Sequence, residues 1–287
     1  MSLSFAALTT ADLVEAATVV KAAYNTPHSR KASLQLYLTL QASQTGSSLV
    51  VRHNRSIVGF GGVVDYGPFA YVGLMSVHPS MQKQGIGARL LEHLLAEVDA
   101  RGCPTTLLDA TPAGAGLYKR YAFMEDDTTL VLQRTQHMPL PRHLPPGVSL
   151  LAEEDFPALV AFDTPYFGAE RRVILAAYRA YNPERVLVAY NMHGQITGYL
   201  IAQSSVLGPW AARTPEDAEH LLVHALTLYY KEGEPEVFVS AYNSAALPLL
   251  TRYGFNQQRT LSHMRRGKAV DRARQTALYG QTSLGLG

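Results

Sequence analysis

The chain has 287 residues, which exceeds the usual size of one domain and predicts two. An apolar content of 47% is ample for packed cores, and 25 basic against 23 acidic residues give no electrostatic reason to expect nucleic acid as a partner. Cys103 is the only cysteine, which excludes an internal disulfide and a four-cysteine zinc site. No signal-peptide pattern and no membrane-length apolar run are present, so we expect a cytoplasmic protein that does not bind membranes.

The N-terminal part of the chain predicts a strand, two helices and a pair of strands. Residues 3–8 have the character of an edge strand, and Thr9 or Thr10 can cap the helix that follows. Apolar side chains at helical spacing define this helix (Leu13, Ala16, Ala17 and Val20) and a second one (Leu34, Tyr37 and Leu38). Residues 49–51 and 57–64 are predicted strands joined by a turn.

A predicted strand, a polar turn and an amphipathic helix follow at residues 71–102. The apolar face of the helix is formed by Ile86, Leu90, Leu91, Leu94, Leu95 and Val98. The first turn of a helix has N–H groups without intrahelical partners, at the positive end of the helix dipole. Gly85 and Gly87 leave space beside these groups, and Lys83 adds a positive charge. This combination favours a pyrophosphate-binding loop, and a two-glycine turn without a ligand is the alternative.

Two known phosphate-binding patterns do not fit this turn. A Walker loop requires Gly-x-x-x-x-Gly-Lys-Ser/Thr, but Gly87 is followed by Ala88 and Arg89. A dinucleotide fingerprint requires a third glycine where Leu90 stands, and a strand that runs directly into the first glycine. A nicotinamide-dependent oxidoreductase is therefore disfavoured.

The turn instead resembles the loop of the GNAT acyltransferases, which binds the pyrophosphate of acetyl-coenzyme A. Residues 82–88 match the Gln/Arg-x-x-Gly-x-Gly/Ala pattern of the family, and residues 77–79 match the Val-x-Pro that usually precedes it. After a predicted strand at residues 105–110, residues 117–123 match a second family pattern, Leu-Tyr-x-x-x-Gly-Phe, with Ala122 in place of the glycine.

The second half of the chain repeats this arrangement. Residues 136–147 hold four prolines and are predicted to link two domains. Residues 249–255 repeat residues 117–123, with Leu250 in place of Tyr118, and predicted strands at 187–189 and 196–201 repeat the earlier pair.

The second copy has lost the features of the phosphate loop. Residues 207–218 stand where that loop would be, and they contain no glycine pair. Glu216 and Asp217 fall in the first turn of the next predicted helix, where carboxylates would repel a phosphate. The second half of the chain resembles the degenerate second domain of tandem GNAT proteins. These domains also share a late His-Met-Arg segment, here residues 263–265.

The resemblance implies an α/β (α+β) fold made of two tandem GNAT folds, each a mixed, mostly antiparallel sheet flanked by helices. A catalytic domain would cover residues 1–135 and a degenerate one residues 148–287. The implied activity is transfer of an acetyl group from acetyl-coenzyme A to a primary amine of a small molecule, amino acid or peptide. Attack would be direct, in a ternary complex, without a metal. A non-catalytic acyl-coenzyme A binder or sensor is the alternative.

The resemblance also implies which residues form the site. Acetyl-coenzyme A would bind to the main chain of Met75, Ser76 and Val77 and to the loop, which consists of Gln82, Lys83, Gln84, Gly85, Ile86, Gly87 and Ala88. Tyr118 is the expected general acid, because a phenol with a pKa near ~10 is protonated at neutral pH and can donate to a thiolate.

The sequence does not assign the general base. Asp65, Asp109, His78 and a water chain are alternatives for the general base. In GNAT folds the elements that carry Tyr24, Tyr37, Asp65 and Tyr66 border the slot for the acceptor.

Overall fold

The computed structural model describes residues 3–26, 31–271 and 275–287. The helices in these ranges are α1 (Leu13–Tyr24), α2 (Lys31–Ala42), α3 (Ile86–Ala100), α4 (Pro112–Lys119), α5 (Phe156–Phe167), α6 (Arg172–Tyr181), α7 (Pro215–Ala225) and α8 (Ala246–Arg252). The strands of the first half are β1 (Leu3–Ala7), β2 (Gly46–His53), β3 (Ser56–Asp65), β4 (Ala70–Val77), β5 (Thr105–Ala110) and β6 (Met124–Arg134). Those of the second half are β7 (Val148–Leu150), β8 (Val186–Tyr190), β9 (Ile196–Ala202), β10 (Leu207–Ala212), β11 (Glu236–Ser240), β12 (Phe255–Gly267) and β13 (Leu278–Gly280).

The elements predicted for the N-terminal half are present in the predicted order. The apolar face of α3 is buried, with Leu90, Leu91 and Leu94 fully inaccessible to solvent. A helix with one apolar stripe is stabilised mainly by packing that stripe on a sheet. Here α3 and α4 cover one face of β2 to β5, and α1 and α2 cover the other.

An eight-stranded sheet joins the two halves in the order β1-β2-β3-β4-β5-β12-β6-β11. The halves have exchanged their last long strands. β12, from the second half, pairs antiparallel with β5, while β6, from the first half, pairs antiparallel with β11. β6 and β12 also pair with each other along most of their length. Each half therefore depends on the other for a strand.

The second half also forms a five-stranded sheet in the order β13-β10-β9-β8-β7. β10 and β11 meet at a single parallel bridge between Val206 and Glu236. Beyond this bridge β13 lies between them, because it pairs with β10 and the N–H of Gln281 donates to the Phe238 carbonyl of β11 at 2.8 Å. A segment from the end of the chain thus fills the space between these two strands.

One prediction for the second half was wrong. Residues 207–212 do not stand in place of a loop, because Leu207–Ala212 forms the fully buried strand β10, whereas Glu216 and Asp217 lie in the first turn of α7 as predicted. Pro209 is accommodated where the pairing of β10 with β9 shifts register between Leu207 and Trp210. Proline is tolerated at such irregularities because it has no N–H to donate to the ladder.

The proline-rich segment packs against the second half. Pro139, Leu140 and Pro141 line a depression with residues of α7 and α8, and the Nε2 atom of His224 lies 2.8 Å from the Pro145 carbonyl oxygen. Among the helices in the described ranges, none combines the length and the apolar composition needed to cross a membrane.

Candidate functional site

A gap between β4 and β5 defines the site. These parallel strands pair only at Ala70 with Thr106 and Tyr71 with Leu107, and residues 72–77 diverge from β5. On the other side of β4, pairing with β3 skips Leu74 and Met75, and Leu74 has a left-handed φ of 52°. This bulge turns main-chain groups of two consecutive residues out of the ladder, which is a common device next to active sites.

The glycine-containing loop lies at the open end of this gap. After β4, a short 3₁₀ turn covers Pro79–Met81, and the Gln82 side chain donates to the Val77 carbonyl at 3.1 Å. Residues 82–85 are exposed, and the side chain of Ile86 is buried, so Ile86 can offer a ligand only its backbone.

Helix α3 begins without a side-chain cap. Its N-cap is Gly85, whose φ of 79° lies in the left-handed region that glycine adopts without strain, and no side chain of the described residues caps the first turn. A Cβ atom at Gly85 would meet no atom within 4 Å, so the space in front of the helix is open. Uncapped N–H groups that face open space are able to bind an anion.

Gly87 lies deeper, at the mouth of the gap. A Cβ atom there would stand 3.7 Å from Val77 Cγ2 and 3.8 Å from Leu117 Cδ2, which are ordinary contacts. The fold therefore accepts a side chain at this position, but the side chain would occupy the space between β4 and α4.

Tyr118 of α4 belongs to the core on the α3 side of the sheet, and its neighbour Tyr24 contacts Met75 at the bulge. The Tyr118 ring packs edge-on against Phe123 at 5.9 Å, and within the described residues its hydroxyl has no hydrogen-bond partner. Burial, together with the neighbouring Tyr24, raises the pKa of the Tyr118 hydroxyl. The phenol is therefore protonated at neutral pH and free to donate.

The alternatives for a general base do not stand equally near the gap. Asp65 accepts from the Gly67 N–H at 2.8 Å and lies 3.9 Å from Arg101 at the far end of α3. His78 bonds to the Ser80 side chain at 2.8 Å and caps the 3₁₀ turn. Both have local structural roles.

Asp109 lies on β5 at the gap, but its carboxylate is completely buried. It accepts hydrogen bonds from the Tyr71 hydroxyl at 2.5 Å, the Thr129 hydroxyl at 2.6 Å and His263 Nδ1 at 3.0 Å. Three donors leave little of the carboxylate available to a substrate.

The residues predicted to border an acceptor slot contact the end of the chain. The Tyr37 hydroxyl donates to the Gly285 carbonyl at 3.1 Å, and the Tyr66 hydroxyl donates to the Leu286 carbonyl at 2.7 Å. Burial raises the pKa of both tyrosines, so both remain donors. Tyr24 is different, because its hydroxyl lies 3.4 Å from the Met75 carbonyl oxygen at the bulge.

Sequence reasoning did not predict that His263 lies beside Asp109. It belongs to β12, which the sequence places in the second domain, yet it stands beside Asp109 in the sheet. The late His-Met-Arg segment is visible in the sequence, but no local pattern indicates that its strand pairs with β5 of the first half.

The corresponding region of the second half has neither an open helix start nor an open gap. Thr214 caps α7 by accepting from the Asp217 N–H at 3.1 Å, and the Asp217 carboxylate accepts from the hydroxyls of Thr214 and Thr197. The space between β10 and β11 is filled by β13. Leu250 stands at the position of Tyr118 and is fully buried.

Two family models match the chain, and both are described as an acetyltransferase (GNAT) domain. The first covers residues 44–125 and the second residues 159–280, so together they match more than two thirds of the chain in tandem. Among curated proteins, the chain is 24% identical over 200 residues to the uncharacterized N-acetyltransferase YitH of Bacillus subtilis. That match covers 68% of this chain and 69% of the relative.

Solved structures share the architecture of the whole chain. A crystal structure assigned as an acetyltransferase of Pyrococcus horikoshii superposes with a TM-score of 0.85 at 27% identity, over 99% of this chain and 96% of that one. A tandem GNAT protein from the clavulanic acid biosynthesis pathway gives a TM-score of 0.65 at 16% identity, over 94% of this chain and all of that one. At 16% identity, the similarity to the tandem GNAT protein shows a common fold.

Proposed function

The chain belongs to the GNAT family of acetyltransferases, and from this premise we propose that its N-terminal half transfers an acetyl group from acetyl-coenzyme A to a primary amine. One observation carries the proposal: an uncapped helix start opens onto a splayed strand pair in the half that retains Tyr118. The name of the Bacillus relative, an N-acetyltransferase, agrees with an amine as acceptor.

The loop residues suit a pyrophosphate. The N–H groups at the start of α3 carry the positive end of the helix dipole, and Lys83 lies exposed beside them. Gln82 to Ala88 would hold the two phosphates, largely through the backbone. The open space at Gly85 supports this assignment, because a phosphate needs close approach to the N–H groups.

The bulge in β4 suits an extended arm that ends in a thioester. Main-chain groups of Leu74 and Met75 lie outside the ladder with β3, and the edge of β4 towards β5 is unpaired beyond Tyr71. Met75, Ser76 and Val77 would bind the arm and the carbonyl through this edge. The bound thioester supplies the acetyl group and a thiolate leaving group.

Tyr118 would supply the proton that the departing thiolate takes. A thiol has a pKa near ~8.5, well below that of a buried phenol, so the phenol is protonated when the thiolate forms. The hydroxyl has no other partner within the described residues, so it does not have to break a hydrogen bond in order to donate.

The second half would bind no acetyl-coenzyme A. Its helix start is occupied by its own side chains, and its strand gap is occupied by β13. We assign it a supporting role, with residues 136–147 as the connection between the two domains. A single cysteine agrees with a cytoplasmic setting.

The test is a thiol-release assay with acetyl-coenzyme A and a panel of amines, amino acids and peptides. The proposal expects release that depends on the amine and an acetylated product with an amide bond. Binding of acetyl-coenzyme A without release for any amine would favour the alternative of a non-catalytic binder. Absence of both binding and release would contradict the proposal.

A further inference from the structure

A buried hydroxyl group holds the bulge in β4. The Oγ atom of Ser76 donates to the Leu74 carbonyl oxygen at 2.7 Å, and Ser76 is only 2% exposed to solvent. This hydrogen bond reaches across the bulge, where Leu74 and Met75 together stand opposite the single residue Gly61 of β3. The bulge is the part of β4 that would bind the thioester, so the Ser76 hydroxyl is placed where it can affect the reaction.

Leu74 has a backbone conformation that needs support. Its φ is 52°, and no other residue with a Cβ atom in the described strands has a φ in the left-handed region. This conformation is unfavourable for an L side chain, so it persists only where the surrounding structure determines it. Backbone strain of this kind is concentrated at functional sites, and the hydrogen bond that holds it is therefore a candidate for a functional role.

Two glycines make room for the bulge. A Cβ atom at Gly61 would stand 2.7 Å from the Met75 sulfur, and a Cβ atom at Gly73 would stand 2.4 Å from the Gly285 carbonyl oxygen. Both positions therefore exclude a side chain. These close approaches allow the chain to bulge, but the direction in which its peptide groups point depends on their hydrogen bonds.

The hydrogen bond from Ser76 sets the direction of one N–H group. The carbonyl of Leu74 and the N–H of Met75 belong to the same planar trans peptide, in which the two groups point in opposite directions. Ser76 is paired with Phe60, whose side chain belongs to the core on the α1 and α2 face of the sheet. Because paired residues share a face, the Leu74 carbonyl turns towards this face and the Met75 N–H turns away from it.

The Met75 N–H is available to a ligand at this edge of the strand. Met75 has no ladder partner in β3 or in β5. The face towards which its N–H turns carries α3 and α4, and Met75 packs there against the core that includes Tyr118. An N–H group held in this direction can donate to the oxygen of a bound thioester. Such a donor stabilises the negative charge that develops on that oxygen as an amine attacks.

We propose that Ser76 is a positioning residue for acetyl transfer. Its hydroxyl holds the Leu74 carbonyl, and through the shared peptide group it fixes the Met75 N–H in the direction of the thioester oxygen before the substrate binds. The proposal rests on the acetyltransferase function proposed above and assigns a side chain that orients a main-chain contact of that site. Ser76 touches no reacting atom through its side chain and acts only through the peptide group between Leu74 and Met75.

The loss of this hydroxyl should affect the transition state more than the ground state. The thioester oxygen gains most of its negative charge after attack, so a misdirected N–H lowers the rate more than the affinity. Ser76→Ala should still bind acetyl-coenzyme A through the loop at residues 82–88. Removal of one such donor typically lowers kcat by about 100- to 1,000-fold, and we expect a donor that has lost its support to cost about 10- to 100-fold.

The first experiment observes the bound thioester in the absence of an amine. The full chain is saturated with acetyl-coenzyme A that carries ¹³C at the acetyl carbonyl, and isotope-edited infrared difference spectra give the stretching frequency of this carbonyl. A directed hydrogen bond weakens the C=O bond. We therefore expect a lower frequency on the wild-type chain than on Ser76→Ala, and a frequency close to the wild-type value on Ser76→Thr, which keeps a hydroxyl.

Ser48→Ala is the matched control. Ser48 is 1% exposed, and its hydroxyl donates to the Gln41 side chain at 3.0 Å, on β2 and away from the gap. Both alanine variants lose one hydrogen bond of a buried serine, so we expect similar decreases in the free energy of unfolding. Only Ser76→Ala should change the carbonyl frequency and kcat.

The second experiment measures turnover with the best amine from the thiol-release panel. Equal carbonyl frequencies and equal kcat values for wild type and a folded Ser76→Ala variant would overturn the proposal and leave the acetyltransferase function intact. An equal loss of kcat in Ser48→Ala, or an insoluble Ser76→Ala chain beside a soluble Ser48→Ala chain, would assign the Ser76 hydroxyl to the stability of the fold and would also overturn it. A wild-type chain that does not bind acetyl-coenzyme A would contradict the proposed function itself.

Discussion

Asp109 of β5 and His263 of β12 stand directly opposite each other in the large sheet, and Oδ1 of the first lies 3.0 Å from Nδ1 of the second. The two residues come from different halves of the chain. Three positions further along β12, Arg266 donates to both carboxylate oxygens of Asp99 on α3, at 2.7 and 2.9 Å. The first half therefore uses a strand of the second half as an interior member of its sheet.

This exchange predicts that the first half does not fold properly alone. A fragment of residues 1–147 lacks β11 and β12, so β5 would expose one unpaired edge and β6 would lose both of its partners, and unpaired edges promote aggregation. We expect the fragment to be insoluble, or to show no cooperative unfolding by circular dichroism. Co-expression with residues 148–287 should restore a soluble complex. A soluble fragment with full activity and unchanged amine preference would contradict a supporting role for the second half.

Replacement of Tyr118 by phenylalanine tests its role as general acid. The variant keeps the ring that packs on Phe123 and loses only the hydroxyl. We expect kcat to fall by about 100-fold or more, with little change in affinity for acetyl-coenzyme A, because the hydroxyl acts only as the thiolate leaves.

Tyr121→Phe is the matched control for that measurement. The Tyr121 hydroxyl donates to Glu92 at 2.6 Å on the surface, outside the gap. Its loss should leave kcat unchanged. Equal rates for wild type and Tyr118→Phe with a good amine would show that the thiolate takes its proton from another group.

Replacement of Ala122 by glycine should stabilise the folded chain. It has a φ of 62°, a left-handed conformation that costs a residue with a Cβ about 1–2 kcal/mol. Glycine in the unfolded chain offsets about half of that gain. We expect Ala122→Gly to raise the free energy of unfolding by up to about 1 kcal/mol in urea titrations.

Gly254 is the residue of the second half that corresponds to Ala122, and the reverse substitution can be made there. Its φ is 85°, and a Cβ atom there would stand 2.0 Å from the Gln136 carbonyl oxygen. Gly254→Ala should therefore destabilise the chain by more than about 1 kcal/mol. A lower stability of Ala122→Gly than of wild type would contradict the account of strain at position 122.

Asp12 should make stability depend on acid pH. Burial raises the pKa of this carboxyl, but hydrogen bonds from Arg52 and Thr9 outweigh burial and hold it below its usual range. A folded pKa below the unfolded value means that the stabilisation is present above about pH 4 and lost as pH falls further. Thermal unfolding between pH 3 and 6 should show this loss, and Asp12→Asn should show a smaller slope. An identical slope would contradict the assignment.

The first half could be predicted from sequence because its signals are local. The alternation of apolar residues, the two glycines around Ile86 and the spacing from Leu117 to Phe123 each specify an element or a loop from adjacent residues. The open start of α3 follows from the same stretch, since neither Gln84 nor Gly85 is a capping residue with a short hydroxyl or carboxylate.

The strand exchange could not be predicted in this way. β6 and β12 have similar patterns, and nothing local decides whether β12 pairs with β5 or with β11. The filling of the second gap by β13 has the same cause, because Leu278–Gly280 is too short to indicate a strand. The composite neighbourhood of His263 depends on both features, so it becomes visible only in the structure.

Titration calorimetry of the whole chain with acetyl-coenzyme A tests the central claim most directly. Gly87→Val should abolish binding, because its side chain would occupy the mouth of the gap between Val77 and Leu117. Gly116→Ala on the exposed side of α4, where a Cβ atom meets nothing within 4 Å, should bind normally. The account predicts one equivalent bound per chain, lost only in Gly87→Val. Two equivalents per chain, or undiminished affinity in a folded Gly87→Val variant, would contradict it.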